Sequence, residues 1–292
     1  MSDTPDEAIW LPQFDLADFV RRVLAEDMGS GGDVTSKATI EPFARFTAEM
    51  NCREPIVVAG LDIAVAVFRA LDGEVRIDRL VRDGDKLPPG PVLMRLEGNA
   101  RAMLAAERSA LNTIQHLSGI ATLTRQYAEA IAGTGATLLD TRKTVPGVRL
   151  LAKYAARMGG AENQRMRMDD GLLIKDNQVG VAGGVAEAVR AAKAFDSGLL
   201  IQVEVDRLDQ IEPALEAGAE RLLLDNMAPD MLREAVALVA GRVPLEASGG
   251  VRLDTIRDIA ESGVDYISVG RITQSAPAVD IGLDFTLAPF TS

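Results

Sequence analysis

From Thr137 onward the chain alternates short apolar runs with segments whose apolar positions recur every three or four residues. The runs are TLLDTRK (137–143), GLLIKDN (171–177), LLIQVEVD (199–206), RLLLDN (221–226), PLEASGG (244–250) and YISVGR (266–271). Short continuous apolar runs predict strands of a parallel sheet covered on both faces. The first five are followed by VRLLAKYAARMGG, VAEAVRAAKAF, LDQIEPALEAGA, PDMLREAVALVA and LDTIRDIAESG, each with a helical period. Gly159, Gly218 and Gly263 stand where helices end, and Asp209, Asp230 and Asp254 fall near helix starts, where negative charge suits the dipole. Six βα units result, which either close into a short barrel or stay open as a doubly wound sheet.

The first 120 or so residues follow a different pattern. A helix is expected over 16–27, a strand pair or one long strand over 45–59, a helix over 62–71, and two strands over 75–97 around the turn-rich DGDKLPPGPV. From Asn99 to about Ala132 the period is helical, with a break expected at LSGIATLT. The chain therefore divides into an α+β domain over 1–120 and a βα domain over 121–275. The tail at 276–292 alternates like a strand over APAVDIGLDFTLAPF and is expected to return to the first domain.

Composition narrows the function classes. With 292 residues and 47% apolar content, the chain can bury a substantial core. Its net charge of −12 argues against nucleic acid and anionic membranes as partners, so any bound anion needs a local cluster of cations. Cys52 is the only cysteine, which excludes an internal disulfide and fits a reducing compartment. MSDTPDEAIW lacks the basic start and apolar run of a signal peptide, and no stretch reaches the ~20 apolar residues of a membrane helix. A cytoplasmic location is the expectation.

Ligands of parallel α/β folds sit beyond the carboxyl ends of the strands. The residues there are Arg142 and Lys143, then Lys175, Glu204, Asp225, the trio Ser248, Gly249 and Gly250, and finally Gly270 and Arg271. Cations come first, carboxylates next and glycine-bearing loops last. A single charge in such a position is often just a solvated loop residue. As a set they make more sense together: Glu204 and Asp225 suit Mg²⁺ carrying substrate phosphates, and SGG and VGR suit a phosphate held by backbone N–H groups. Arg142, Lys143, Arg165 and Lys175 suit a bound polyanion.

DTRKTVPGVRLLAKYAARMGG, NQR, LLIKDN, VEVD, LLLDNM, LEASGGV and ISVGRITQSAPAVDIGLDF resemble the quinolinate phosphoribosyltransferase family, as do EDMGSGGDVTS, VAGLDIA, DGDKLPPG and ERSALNTIQHLSGIATLTR. The resemblance spans nearly the whole chain. It implies an α/β fold with an N-terminal α/β sandwich and an incomplete six-stranded α/β barrel, in a homodimer (or a higher oligomer of dimers) whose first domains cap the partners' barrels. The implied reaction joins quinolinate to phosphoribosyl pyrophosphate with loss of CO₂, giving nicotinate mononucleotide for NAD biosynthesis, with Mg²⁺ as cofactor. By the same resemblance Arg142, Lys143, Gln164, Arg165 and Lys175 surround the dicarboxylate, and Arg108 comes from the neighbouring subunit. Glu204 and Asp225 take the ribosyl end and Mg²⁺-pyrophosphate, Ser248, Gly249, Gly250 and Gly270 hold the 5-phosphate, and Lys143 or Lys175 stabilises the ring carbanion.

The chain departs from the family pattern at Gln164 and Gln178, where histidine is usual, and at Gln274, where it is frequent; His116 is the only histidine. Glutamine can donate a hydrogen bond but cannot carry charge. Three alternatives are therefore kept: a paralogue that ribosylates another acidic heterocycle, a non-catalytic phosphate-binding module, and a generic phosphosugar isomerase barrel.

Overall fold

The computed structural model describes residues 14–286; the N-terminal MSDTPDEAIW and the last residues of the 276–292 tail lie outside them. The chain forms two compact units. One takes the residues up to Leu123, Leu150–Gly159 and those from Ala276 on, and the other takes Thr124–Arg149 and Gly160–Ser275.

The first unit opens with helices α1 (Leu16–Met28) and α2 (Val34–Thr39), capped by the carboxylates of Asp15 and Asp33, which accept from the backbone N–H groups of Asp18 and Ser36. Next come strands β1 (Arg45–Cys52) and β2 (Ile56–Val57), helix α3 (Leu61–Leu71), strands β3 (Arg76–Arg79), β4 (Lys86–Leu87) and β5 (Val92–Asn99), and helix α4 (Ala100–Ala130). The chain's last strand, β12 (Ile281–Thr286), pairs antiparallel with β1 to complete a four-stranded sheet in the order β12-β1-β5-β3. Alternate residues of β1, namely Phe46, Ala48, Met50 and Cys52, are buried, so one face of this sheet is core.

Two expectations fail in this unit. The turn-rich DGDKLPPGPV holds a short strand, β4, which pairs antiparallel with β2, so 75–97 carries three strands rather than two. LSGIATLT does not interrupt α4. Its small residues face close backbone neighbours: the Ser118 hydroxyl accepts from Ala59 N–H at 3.0 Å, the Thr122 hydroxyl accepts from Val57 N–H at 2.8 Å, and a Cβ on Gly119 would overlap the Pro277 carbonyl. What looks like a helix breaker is a surface made small for packing.

The second unit begins within α4 and continues with β6 (Thr137–Leu139). Helix α5 (Arg149–Gly159) follows, but its residues 150–159 group with the first unit rather than with the 121–275 segment in which the sequence pattern sets them. There the Tyr154 hydroxyl donates to Asp83 at 2.6 Å, and Asp83 also accepts from the N–H groups of Gly60 and Leu61 at the start of α3. The second unit then runs β7 (Leu172–Ile174), α6 (Asp176–Ala182), α7 (Val185–Phe195), β8 (Ile201–Val205), α8 (Ile211–Ala217) after a 3₁₀ turn, β9 (Arg221–Asp225), α9 (Pro229–Val239), β10 (Leu245–Ser248), α10 (Ile256–Ala260), β11 (Tyr266–Ser268) and α11 (Arg271–Gln274). Gly218, at the end of α8, has φ 101°, a left-handed turn open to glycine.

Six parallel strands form one sheet in the order β6-β11-β10-β9-β8-β7. The first strand pairs with the last while the first and second do not pair among the described residues, so the order is that of a barrel opened along one seam. This decides between the two architectures the sequence leaves open: the second unit is an incomplete barrel. Segment 160–171 occupies the seam, with Glu162 bridged in parallel to Leu139 and the Arg165 guanidinium donating to the Gly171 carbonyl at 3.2 Å.

Strand periodicity sorts the side chains. Ile201, Val203, Val205, Leu222, Leu224, Leu245, Ile267 and Val269 are buried on one face, each contributing on the order of 1.5–3 kcal/mol of apolar burial. Gln202, Glu204, Arg221, Asp225, Glu246, Ser248 and Ser268 alternate with them and line the barrel interior.

Candidate active site

The carboxyl ends of the six strands surround a cavity of about 900 Å³, lined wholly by the second unit. Arg142, Lys143, Gln164, Arg165, Lys175, Glu204, Asp225, Ser248, Gly249, Gly250 and Gly270 all line it. Arg108 does not; it is an exposed residue of α4 in the first unit, beside Glu107, whose carboxyl is held above its usual range by burial and eased back by the Arg108 charge.

The cationic wall is built on short strands whose last residues release the chain into the cavity. Arg142 and Lys143 follow β6, and the Thr141 hydroxyl accepts from Lys143 N–H at 3.0 Å, turning the backbone there. The stem of Lys143 lies over Gly270, where a Cβ would come within 2.7 Å of its Cδ, and the Thr273 hydroxyl donates to the Lys143 carbonyl at 2.8 Å. Gly270 thus makes room for a lysine stem. The Nε atoms of Arg142 and Arg165 are buried with no hydrogen-bond partner. Burial lowers the Arg165 guanidinium from its usual range, and the Arg142 charge lowers it further. Two crowded guanidiniums with unmet donors constitute a site for an anion.

Opposite stand the carboxylates. Glu204 ends near the mouth of β8 with its side chain 13% exposed, and the Lys175 ammonium lies 3.4 Å from its Oε2. Burial raises the Glu204 carboxyl above the ordinary range; Lys175 lowers it and the Asp225 charge raises it again. Glu204 and Asp225 therefore feel one another across adjacent strands. Among the described residues no cluster of three or more His, Cys, Asp or Glu could hold a metal ion. Two carboxylates alone suit a hard cation only if substrate oxygens and water complete its shell.

The glycine loop after β10 is shaped by a neighbour that strand-end reading passes over. Asn226 has φ 54°, its backbone N–H donates to the Ser248 carbonyl at 2.9 Å, and its Nδ2 donates to Asp225 Oδ2 at 2.7 Å. A Cβ on Gly249 would fall 2.6 Å from the Asn226 Cγ, so only glycine leaves this side chain in place. The Ser268 hydroxyl donates to Ser248 Oγ at 2.9 Å.

Arg252, Arg271 and Gln274 also line the cavity. Arg252 is paired with Asp254 at 2.9 Å, and burial raises the Tyr127 hydroxyl while the Arg271 charge lowers it. The lining thus holds six cations (Arg142, Lys143, Arg165, Lys175, Arg252, Arg271) against two carboxylates, in a chain whose net charge is −12. The sequence signal for Asn226 was the Asp-Asn pair closing an apolar run, since asparagine tolerates the left-handed conformation.

The two glutamines part company. Gln164 lines the cavity, and its Nε2 donates to Glu246 Oε1 at 2.8 Å. Gln178 does not line it: α6, which the sequence pattern missed, begins at Asp176, and the Gln178 Oε1 accepts from Lys175 N–H at 3.0 Å as part of its N-terminal cap. His116 is a half-buried residue of α4 whose imidazole is lowered by burial.

Two family models match the chain: the quinolinate phosphoribosyl transferase N-terminal domain over residues 33–118 and its C-terminal domain over 120–284. A nicotinate-nucleotide pyrophosphorylase [carboxylating] of Mycobacterium leprae is 43% identical over 93% of this chain and 98% of its own. A mitochondrial quinolinate phosphoribosyltransferase [decarboxylating] of Nicotiana glauca is 39% identical over 93% of this chain and 82% of its own. The nicotinate-nucleotide pyrophosphorylase structure from Francisella tularensis superposes with a TM-score of 0.89 at 41% identity, covering 93% of this chain and 96% of that one. The Ehrlichia chaffeensis structure gives 0.90 at 37%, covering 94% and 100%. Matched along both of its units, the chain belongs to the quinolinate phosphoribosyltransferase family.

Proposed function

We propose that the chain transfers phosphoribosyl from phosphoribosyl pyrophosphate to quinolinate, with release of pyrophosphate and CO₂, and so makes nicotinate mononucleotide for NAD biosynthesis. The observation that carries this reading is one cavity with crowded arginines, orphaned at Nε, on one side and paired carboxylates on the other. Quinolinate is a dianion, and removing two charges from water demands convergent donors in return. Arg142 and Arg165 supply forked donors for the two carboxylates, with Lys143 and Lys175 beside them.

The pyridine nitrogen attacks C1 of the ribose and the bond to pyrophosphate breaks, so positive charge grows on the sugar as negative charge grows on the leaving group. Glu204 and Asp225 face the sugar, and a carboxylate held ready needs no reorganisation to stabilise that charge. Lys175 lies 3.4 Å from Glu204 and lines the same cavity, so its charge is within reach of both the carboxylates that face the sugar and the dicarboxylate. Once quaternised, the ring nitrogen stabilises by its positive charge the electron pair left on the adjacent ring carbon when the carboxylate departs as CO₂, and a proton then takes the carboxylate's place on that carbon. Lys143 or Lys175 stabilises that carbanion. The 5-phosphate is held by Ser248, Gly249, Gly250 and Gly270.

Mg²⁺ is the cofactor of this reading: Glu204 and Asp225 would hold it together with pyrophosphate, directly or through water, and it would offset the charge growing on the leaving group. The assembly is a homodimer, or an oligomer of dimers, in which Arg108 comes from the partner subunit; an exposed arginine outside the cavity lining is available for that role. The location is the cytoplasm, in keeping with the buried free thiol of Cys52 and with no described helix long and apolar enough to cross a membrane.

The paralogue reading rests on Gln164 alone, since Gln178 is occupied with its own helix. The test is direct. Purified protein given quinolinate, phosphoribosyl pyrophosphate and Mg²⁺ should release CO₂ and nicotinate mononucleotide in equal amounts, and nicotinate should be a far poorer acceptor. No product at saturating quinolinate, or a clear preference for another heterocyclic acid, overturns the reading.

A further inference from the structure

Beneath the cavity, in the barrel interior, lies a carboxylate that the reaction does not use. Glu246 of β10 is fully buried, two residues before Ser248 and on the same face of the strand. Its Oε1 accepts from Gln164 Nε2 and its Oε2 from Gln202 Nε2, both at 2.8 Å. The nearest cation is Arg221, 3.9 Å away, which is stacked 4.3 Å over the Tyr266 ring. Gln202 is buried, but Gln164 lines the cavity.

We infer that Glu246 is a positioning residue for the acid half of the pocket, acting through Gln164. Both oxygens of Glu246 act as acceptors here, which fixes the NH₂ end of each carboxamide toward it. The NH₂ of Gln164 is thereby directed at the barrel interior. The backbone of the same residue is fixed by a second buried carboxylate: Gln164 N–H donates to Asp140 Oδ1 at 2.9 Å, and Asn163 Nδ2 donates to Asp140 Oδ2 at 2.6 Å. Arg165 follows directly, and Glu246 favours its charged form from within the barrel. Gln164 and Arg165 both belong to the seam segment, which no strand pairing ties to β7 among the described residues. Asp140 thus holds the backbone of the seam segment and Glu246 the Gln164 side chain, and together they set where the segment presents its arginine.

The inference rests on quinolinate as the acid ligand, and binding is read separately from turnover. Calorimetric dissociation constants for quinolinate and for phosphoribosyl pyrophosphate are measured on full-length wild type, Glu246→Gln, Gln164→Met and the double variant, with circular dichroism as a folding check. Glu246→Gln should weaken quinolinate about tenfold, the scale of one hydrogen bond to a charged group, and leave phosphoribosyl pyrophosphate within about twofold. Gln164→Met should do the same, and the double variant should add nothing further. Equal weakening of both ligands means a purely structural residue and overturns the inference, as does additivity. If Glu246→Gln does not fold, Glu246→Asp, which keeps the charge but draws it back from Gln164, decides: unchanged quinolinate binding overturns the inference and a selective loss supports it. Wild type that binds quinolinate but makes no product overturns the functional reading alone; wild type that does not bind it overturns both.

Discussion

Glu204 shows how a residue's environment ties stability to activity. Burial and the Asp225 charge raise its carboxyl above the ordinary range, against the pull of Lys175. For an acid whose folded value exceeds the unfolded one, the folded state holds the proton more tightly, so its stabilising share is full below the unfolded value and is lost as pH rises through the folded value. At neutral pH ionised Glu204 therefore weakens the fold. Glu204→Gln should unfold at a higher temperature than wild type at pH 7, and the gap should close as pH falls toward 4; a constant gap counts against the assignment. The acid limb of wild-type log kcat/KM, which reports the free enzyme, should lie above an ordinary glutamate and vanish with the residual activity of Glu204→Gln. At this scale much was legible: the strand-end cations, carboxylates and glycines could be located because each closes an apolar run. Asn226 shows only as the second half of an Asp-Asn pair, its role resting on a left-handed turn, and Glu246 is hidden inside a run, where a period of two makes it face the barrel interior.

Elements were read well where one period dominates and poorly where packing overrides it. Helices α1, α3 and α7 and the last four barrel strands fall where the pattern puts them. β4 was hidden because two residues carry no period, and α6 because DNQVGVA follows the strand without a turn signal. LSGIATLT misled because glycine and hydroxyl residues usually weaken a helix; here they let other backbone approach α4. Alanine normally improves on glycine in a helix by about 1 kcal/mol. At Gly119 the sign should reverse, because the new Cβ meets the Pro277 carbonyl, a backbone atom that cannot rotate away. Gly119→Ala should lose about 1–3 kcal/mol, the usual scale of overpacking, as read by urea unfolding. A gain in stability would mean that residues near Pro277 do not pack on α4.

For the whole molecule, six βα repeats announced a parallel sheet, but only the pairing of β6 with β11 makes it a barrel opened at one seam. The grouping of Leu150–Gly159 with the first unit was invisible for the same reason: a helical period does not say which sheet a helix covers. Assembly supplies the prediction at this scale. If Arg108 serves the partner's cavity, Arg108→Ala and Lys143→Ala should each be inactive alone. Mixed under conditions that exchange subunits, they should recover roughly a quarter of wild-type activity, because half of the random dimers are hybrids with one intact site of two. No recovery by subunits shown to have exchanged would place Arg108 in its own chain's site or outside catalysis.

In the proposed reaction the cationic wall of the barrel binds a dicarboxylate beside the paired acids. A crystal structure of the protein with quinolinate tests it most directly. The two carboxylates should lie on the guanidiniums of Arg142 and Arg165, with both Nε donors satisfied and the ring nitrogen turned toward Glu204 and Asp225. Quinolinate bound away from these arginines, or turned with its nitrogen from the acids, would contradict it.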